Sequence, residues 1–77
     1  MYRISIYYKS KKLISVYDSI HTVKYTDVLG DTIEITGSEM LTHHFPTDVS
    51  YHLLSDRGNY SIDKSVIGTF EVTKVVY

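Results

Sequence analysis

The stretch Thr32-Ile33-Glu34-Ile35-Thr36 carries the clearest structural signal in the sequence. Its two isoleucines alternate with polar residues, which places both on one face of an extended chain. Four of its five residues are β-branched. Branched side chains lose rotamer freedom in a helix but suit the surface of a sheet. This stretch therefore predicts a β-strand with one buried face.

The composition of the whole chain has the same bias. Val, Ile and Thr occur eight times each among the 77 residues, together with eight Tyr and two Phe, whereas Ala and Gln are absent. Ala and Gln are among the best helix formers, and the residues that replace them favour sheets. The sequence therefore predicts an all-β fold.

Turn residues divide the rest of the chain into further short strands. The second predicted strand has Ile14 and Val16 as its core pair and breaks at Asp18-Ser19. No linker or repeat is visible, so we predict one domain over residues 1–77, a small antiparallel barrel or rolled meander of six to eight short strands. The strands expected besides 32–36 are residues 2–8, 13–17, 20–26, 41–45, 51–55, 60–63 and 69–76.

The composition also argues against several classes of protein. Without cysteine the chain forms neither disulfides nor thiolate zinc sites, and its net charge of −1 excludes a histone-like protein. It shows no signal peptide and no apolar run of membrane-spanning length, so we expect a complete soluble protein in the cytoplasm. It also shows no nucleophile elbow, zinc-protease helix or glycine-rich phosphate loop. We therefore expect no catalysis, no cofactor and no small-molecule substrate.

Codon usage suggests a genetic context. Ile, Lys, Tyr, Asn and Phe, which have AT-rich codons, total 25, whereas Ala, Gly, Pro and Arg total seven. This bias suits an AT-rich genome, such as that of many bacteria and their phages or mobile elements. An accessory protein that inhibits a host factor is one function that this context suggests.

Surplus apolar residues point to a binding surface. Several lie on the opposite phase from the predicted core positions, and tyrosine joins an apolar ring to a hydrogen-bonding group, which suits interfaces. The last strand, expected at a sheet edge, could pair with another chain. We therefore predict a non-catalytic module that binds a protein partner or a second copy of itself. The predicted partner-binding residues are Tyr7, Tyr17, Val75 and Tyr77.

Single-stranded nucleic acid is the alternative partner. Residues 1–25 hold five basic residues and one acidic residue, with tyrosines between them. Cations beside aromatic rings are typical of small barrels that bind single strands. Against this interpretation, residues 26–63 hold seven acidic residues and one basic residue. The residues predicted for this function are Arg3, Lys9, Lys11, Lys12 and Lys24, with Tyr8 and Tyr25.

The histidines raise the question of a metal site. If residues 46–50 form a turn between paired strands, His43 or His44 lies opposite His52. Two imidazoles could hold a divalent metal, but zinc sites take three or four protein ligands and the spacing fixes no third. We therefore predict half-exposed strand histidines and no metal site.

Overall fold

The computed structural model describes residues 2–10 and 14–75, and it confirms the all-β prediction. Within these two ranges, six strands are accompanied by one short helix and one 3-10 turn. Within the described part of the chain, no helix is long and apolar enough to cross a membrane. The elements are β1 Tyr2–Tyr8, β2 Ile14–Thr26, β3 Thr32–Thr36, α1 Glu39–Thr42, β4 Tyr51–Ser55, β5 Gly58–Ile62, the 3-10 turn Lys64–Val66 and β6 Ile67–Lys74.

All six strands belong to one antiparallel sheet built around β2. The strand order is β5-β4-β2-β1-β6, and β3 also pairs with β2. Ile20 pairs with Tyr2 of β1 and with Ser55 of β4, so these two strands lie on opposite edges of β2. Val23 likewise pairs with both β3 and β4. Strands β1 and β3 therefore lie end to end along the same edge of β2.

The predicted break at Asp18-Ser19 is wrong, because β2 runs through it as one strand of 13 residues. The irregularity is instead a bulge: Ser19 has φ of 61°, and the pairing with β1 shifts register at this level. Before the bulge, Tyr17 is the residue that pairs with the buried Ile4, so the odd positions face inward there. The predicted core pair is therefore wrong as well. Ile14 and Val16 are 57% and 52% exposed on the outer face.

The sheet is rolled around its concave face, as the rolled-meander prediction requires, but it does not close into a barrel. After β3 the chain crosses the concave face, where Met40 of α1 is buried and Phe45 packs against the core. The Phe45 ring centroid lies 4.6 Å from that of Phe70 on β6 and 6.0 Å from that of Tyr51 on β4. Side chains from distant strands of the sheet therefore meet around Phe45. The buried core comprises Ile4, Ile6, Ile20, Val23, Tyr25, Ile35, Met40, Val49, Tyr51, Leu53, Ile62 and Ile67.

The predicted strand at residues 41–45 is wrong. The chain leaves β3 at Gly37, whose φ of 58° favours glycine, and forms α1 before it returns to an extended conformation at His43. The alternation of apolar residues in this segment resembles a strand. Its buried side chain is instead Met40, on the helix, and residues 43–46 form no part of the sheet.

Candidate functional site

The outer face of β1 and β2 carries an exposed apolar patch, here called the outer patch, formed by Tyr7, Ile14 and Val16. Tyr7 pairs directly with Ile14, and Val16 lies two residues further along β2 on the same face. Directly opposed residues on one face of a sheet contact each other through their side chains. Tyr7 is 37% exposed, so all three side chains present apolar surface to solvent. Tyr7 is among the predicted partner-binding residues, whereas Ile14 and Val16 were predicted to lie in the core.

The outer patch borders an unpaired strand edge. Pairing between β2 and β4 begins only at Ile20, whereas β1 occupies the opposite edge of residues 14–20. Among the described residues, no strand pairs with the β4-side edge of residues 14–19. Such an edge offers a row of backbone donors and acceptors that a strand of another chain can use.

The other sheet edges carry features that discourage pairing. Strand β6 lies at one end of the sheet, as predicted for the last strand, but it exposes Glu71 and Lys74. Strands β3 and β5 have only five residues each. Charged side chains and short length are common protections of edge strands. The charged residue on the exposed part of β2 is Asp18, and its carboxylate Oδ1 lies 2.6 Å from Nε of Arg3.

The structure does not bring the predicted partner-binding residues onto one surface. Tyr7 faces outward, whereas Tyr17 faces inward, where its ring centroid lies 5.0 Å from that of Tyr60. Burial raises the pKa of the Tyr17 phenol above its ordinary value. Val75 is half-buried and follows Lys74, which pairs with Tyr2 at the opposite end of β1 from Tyr7. Tyr77 lies outside the described residues.

Three of the residues predicted to bind nucleic acid lie elsewhere and have other roles. Arg3 forms the ion pair with Asp18 described above. Nζ of Lys24 lies 3.7 Å from Oε2 of Glu34 on the outer face. Tyr25 is only 6% exposed, so its ring is not available for a base to stack on. Lys9 and Tyr8 remain together at the end of β1, and Lys11 and Lys12 lie outside the described residues.

A second surface, here called the rim groove, lies where β1 ends and the 3-10 turn begins. Lys9 N donates a hydrogen bond to the Val66 carbonyl oxygen at 3.1 Å, which joins the end of β1 to the turn. The groove has two parts of about 470 and 390 Å³. Both parts are lined by Lys9 and Ser65. The first also has Tyr8, Ser10 and Val66, and the second has Thr47, Asp48 and Lys64.

The two lysines of the rim groove have no ion-pair partner among the described residues. The nearby carboxylate of Asp63 is engaged by hydroxyls and backbone. Its Oδ2 accepts hydrogen bonds from the Ser65 hydroxyl and from Ser65 N at 3.0 Å, and its Oδ1 accepts one from the Ser50 hydroxyl at 3.3 Å. These hydrogen bonds, those from Ser65 first, hold the pKa of Asp63 below its usual range. Sequence reasoning missed Lys64 because only the topology places it near Lys9.

The predicted juxtaposition of His43 or His44 with His52 is wrong. Residues 43–46 are not a strand, and His43 instead turns to the concave face, where its Nε2 lies 2.8 Å from the Tyr25 hydroxyl oxygen. His52 is exposed on the outer face, paired with Lys24, and its Nδ1 lies 2.9 Å from Oγ of Ser61. Within residues 2–10 and 14–75, no group of three or more His, Cys, Asp or Glu side chains could hold a metal ion.

Comparison with family models, curated proteins and solved structures finds no match to this chain. Two surfaces of the structure therefore bear on function. The outer patch presents apolar side chains beside a free strand edge. The rim groove presents two lysines beside apolar surface.

Proposed function

We propose that this protein is a non-catalytic protein-binding module that associates with a second copy of itself through the free edge of β2. The observation that carries this proposal is the coincidence of that edge with the outer patch. Free edges recruit strands through backbone hydrogen bonds, and exposed apolar side chains add the burial that makes such pairing favourable. At residues 14–19 both contributions come from the same segment.

The pattern of residues 14–16 supports a second copy as the partner. Antiparallel pairing about a two-fold axis at Ser15 places Ile14 opposite the partner's Val16, and Val16 opposite the partner's Ile14. The four aliphatic side chains then form two adjacent cross-strand pairs on the outer face, and each Ile14 has the Tyr7 of its own copy on its other side. A closed two-fold contact of this kind uses the free edge of β2 in both copies, so it cannot propagate through that edge.

Charge also favours the symmetric contact. Asp18 is the acidic residue next to the pairing segment, and two copies would bring two such carboxylates towards the same interface. Each is already paired with its own Arg3, with Nε and Oδ1 2.6 Å apart. Like-charge repulsion, which normally protects an edge strand, is therefore weakened on this edge.

Sedimentation equilibrium over a range from micromolar to millimolar concentration tests the proposal. We expect a reversible monomer–dimer equilibrium, and we expect Val16→Lys to shift it to monomer because both aliphatic pairs would lose their valine and the two new lysines would bring like charges close together. The control is Val28→Lys, the same substitution at a turn residue that is 82% exposed. Both variants should keep the wild-type circular dichroism spectrum, since both sites are exposed.

Two results would overturn the proposal. The first is a wild-type protein that is strictly monomeric over the whole concentration range. The second is a dimer that withstands Val16→Lys as well as it withstands Val28→Lys, which would place the contact on another surface.

A further inference from the structure

We propose that the rim groove binds single-stranded nucleic acid, with a phosphate between Lys9 and Lys64 and a base or sugar against Tyr8 and Val66. This function is separate from self-association. Tyr7 of the outer patch and Tyr8 of the rim groove are neighbours in β1, so their side chains lie on opposite faces of the sheet.

The cationic part of the groove is suited to a phosphate. Lys9 and Lys64 line the same 390 Å³ space, and neither has a carboxylate within ion-pair distance in the described part of the chain. Asp48 lines this part as well, so the charged side chains described in its lining sum to +1, from two lysines and one aspartate. Asp63 attracts Lys64 electrostatically, but its hydrogen bonds with Ser65 contribute more to lowering its pKa than Lys64 does. An ammonium group with no carboxylate within ion-pair distance attracts an anionic ligand.

The position of the two lysines is fixed by the backbone. The hydrogen bond from Lys9 N to the Val66 carbonyl holds the end of β1 against the 3-10 turn. Asp63 caps that turn by accepting from Ser65 N. The Cα positions of Lys9 and Lys64 are therefore set before a ligand arrives, which lowers the entropic cost of binding.

The apolar part of the groove is suited to the base or sugar of a nucleotide. Val66 is 41% exposed, and Tyr8, whose hydroxyl is hydrogen-bonded with the Ser15 hydroxyl, lines the same part of the groove. Lys9 and Ser65 line both parts, so the apolar and cationic surfaces are contiguous. A single strand alternates apolar bases with phosphates, and it can present both to such a groove. A duplex stacks its bases inside and presents mainly phosphates.

Fluorescence anisotropy with a labelled oligothymidylate at low salt tests this proposal. Each single-strand phosphate that is neutralised contributes roughly 0.7 to the slope of log K against log salt, so one phosphate held between the two lysines predicts a slope of about −0.7. Lys64→Gln should bring the slope closer to zero and weaken binding roughly tenfold. The matched control is Lys74→Gln, at an exposed position on β6, which should leave both quantities unchanged.

The apolar contact has its own test. Val66→Ser should weaken binding while the salt slope stays at the wild-type value, because it removes no charge. An abasic deoxyribose-phosphate oligomer of the same length should bind more weakly than oligothymidylate. Val16→Lys adds charge to the opposite face and should leave the effect of Lys64→Gln intact.

Three results would overturn this proposal. One is the absence of binding to oligothymidylate at low salt. Another is an equal loss of affinity in Lys64→Gln and Lys74→Gln, which would indicate a general charge effect. The third is equal affinity for the abasic oligomer, which would reduce the groove to a site for phosphate alone.

Discussion

The imidazole of His43 and the hydroxyl of Tyr25 lie 2.8 Å apart, from Nε2 to the phenolic oxygen, across the concave face of the sheet. This contact joins the connection that follows α1 to the second half of β2. The His43 ring also packs edge-on against Phe45, with centroids 4.8 Å apart. This hydrogen bond and this ring contact therefore help to hold the segment that fills the open side of the rolled sheet.

Tyr25→Phe removes this hydrogen bond and keeps the ring. We expect the free energy of unfolding to fall by about 0.5–1.5 kcal/mol, the usual net value of one intramolecular hydrogen bond. Urea denaturation followed by circular dichroism measures the change. Tyr7→Phe is the control, since it removes a hydroxyl at an exposed position, and it should leave stability unchanged. A Tyr25→Phe variant as stable as the wild type would show that water replaces the phenol at no cost.

Oxidative cross-linking distinguishes the two sheet edges that could mediate self-association. Because the chain has no cysteine, Ser15→Cys introduces a single thiol on the proposed two-fold axis. Paired residues on an axis bring their Cα atoms within the range of about 4.4–6.8 Å that a disulfide needs. We expect a covalent dimer on non-reducing electrophoresis for Ser15→Cys and monomer for Thr73→Cys on β6. The reverse pattern would assign the contact to the terminal strand.

The stability of the protein should decline at alkaline pH. Burial, with a smaller contribution from nearby Tyr25 and Asp48, raises the pKa of the Tyr51 phenol far above its ordinary value of 10.0. Its hydroxyl donates a hydrogen bond to the Pro46 carbonyl and must keep its proton to do so. The folded state therefore retains a proton that the unfolded state releases, so stability is intact below pH 10 and falls as the pH rises above it.

Urea denaturation at a series of alkaline pH values measures this decline. Tyr51→Phe should reduce the slope of unfolding free energy against pH, whereas Tyr7→Phe should leave it unchanged. Part of the slope should remain in Tyr51→Phe, because burial also raises the pKa values of Tyr17 and Tyr25. A slope identical in wild type and Tyr51→Phe would contradict this assignment.

The alternation of apolar and polar residues predicted the strands wherever the chain is regular and one face of the strand is buried. Thr32–Thr36 and Tyr51–Ser55 have the predicted bounds, and Ile35 is buried while Glu34 is not. At Ser19 the same reasoning failed, because a bulge shifts the phase and residue types alone do not fix its position. Ile14 and Val16 were assigned to the wrong face because residues 13–17 carry apolar side chains on both phases of the strand, so alternation does not distinguish its two faces.

The surfaces were predicted less well than the strands, for a reason that lies in topology. Lys9 and Lys64 are far apart in sequence, and they meet only because β5 and β6 are joined by one 3-10 turn beside the end of β1. Arg3 and Lys24 are closer to Lys9 in sequence, yet each has an acidic neighbour on an adjacent strand. Counting charged residues along the sequence does not show which of them form ion pairs in the fold.

The continuity of β2 has a consequence for how the molecule opens. The first half of β2 pairs with β1, and β1 pairs in turn with β6. The second half of β2 pairs with β3 and with β4, and β4 pairs in turn with β5. Both halves of the sheet are assembled on β2, so the loss of either half removes pairing partners from the strand on which the other half also depends. Amide protons on both sides of the Ser19 bulge should then exchange with deuterium at closely similar rates, as one cooperative unit rather than as two.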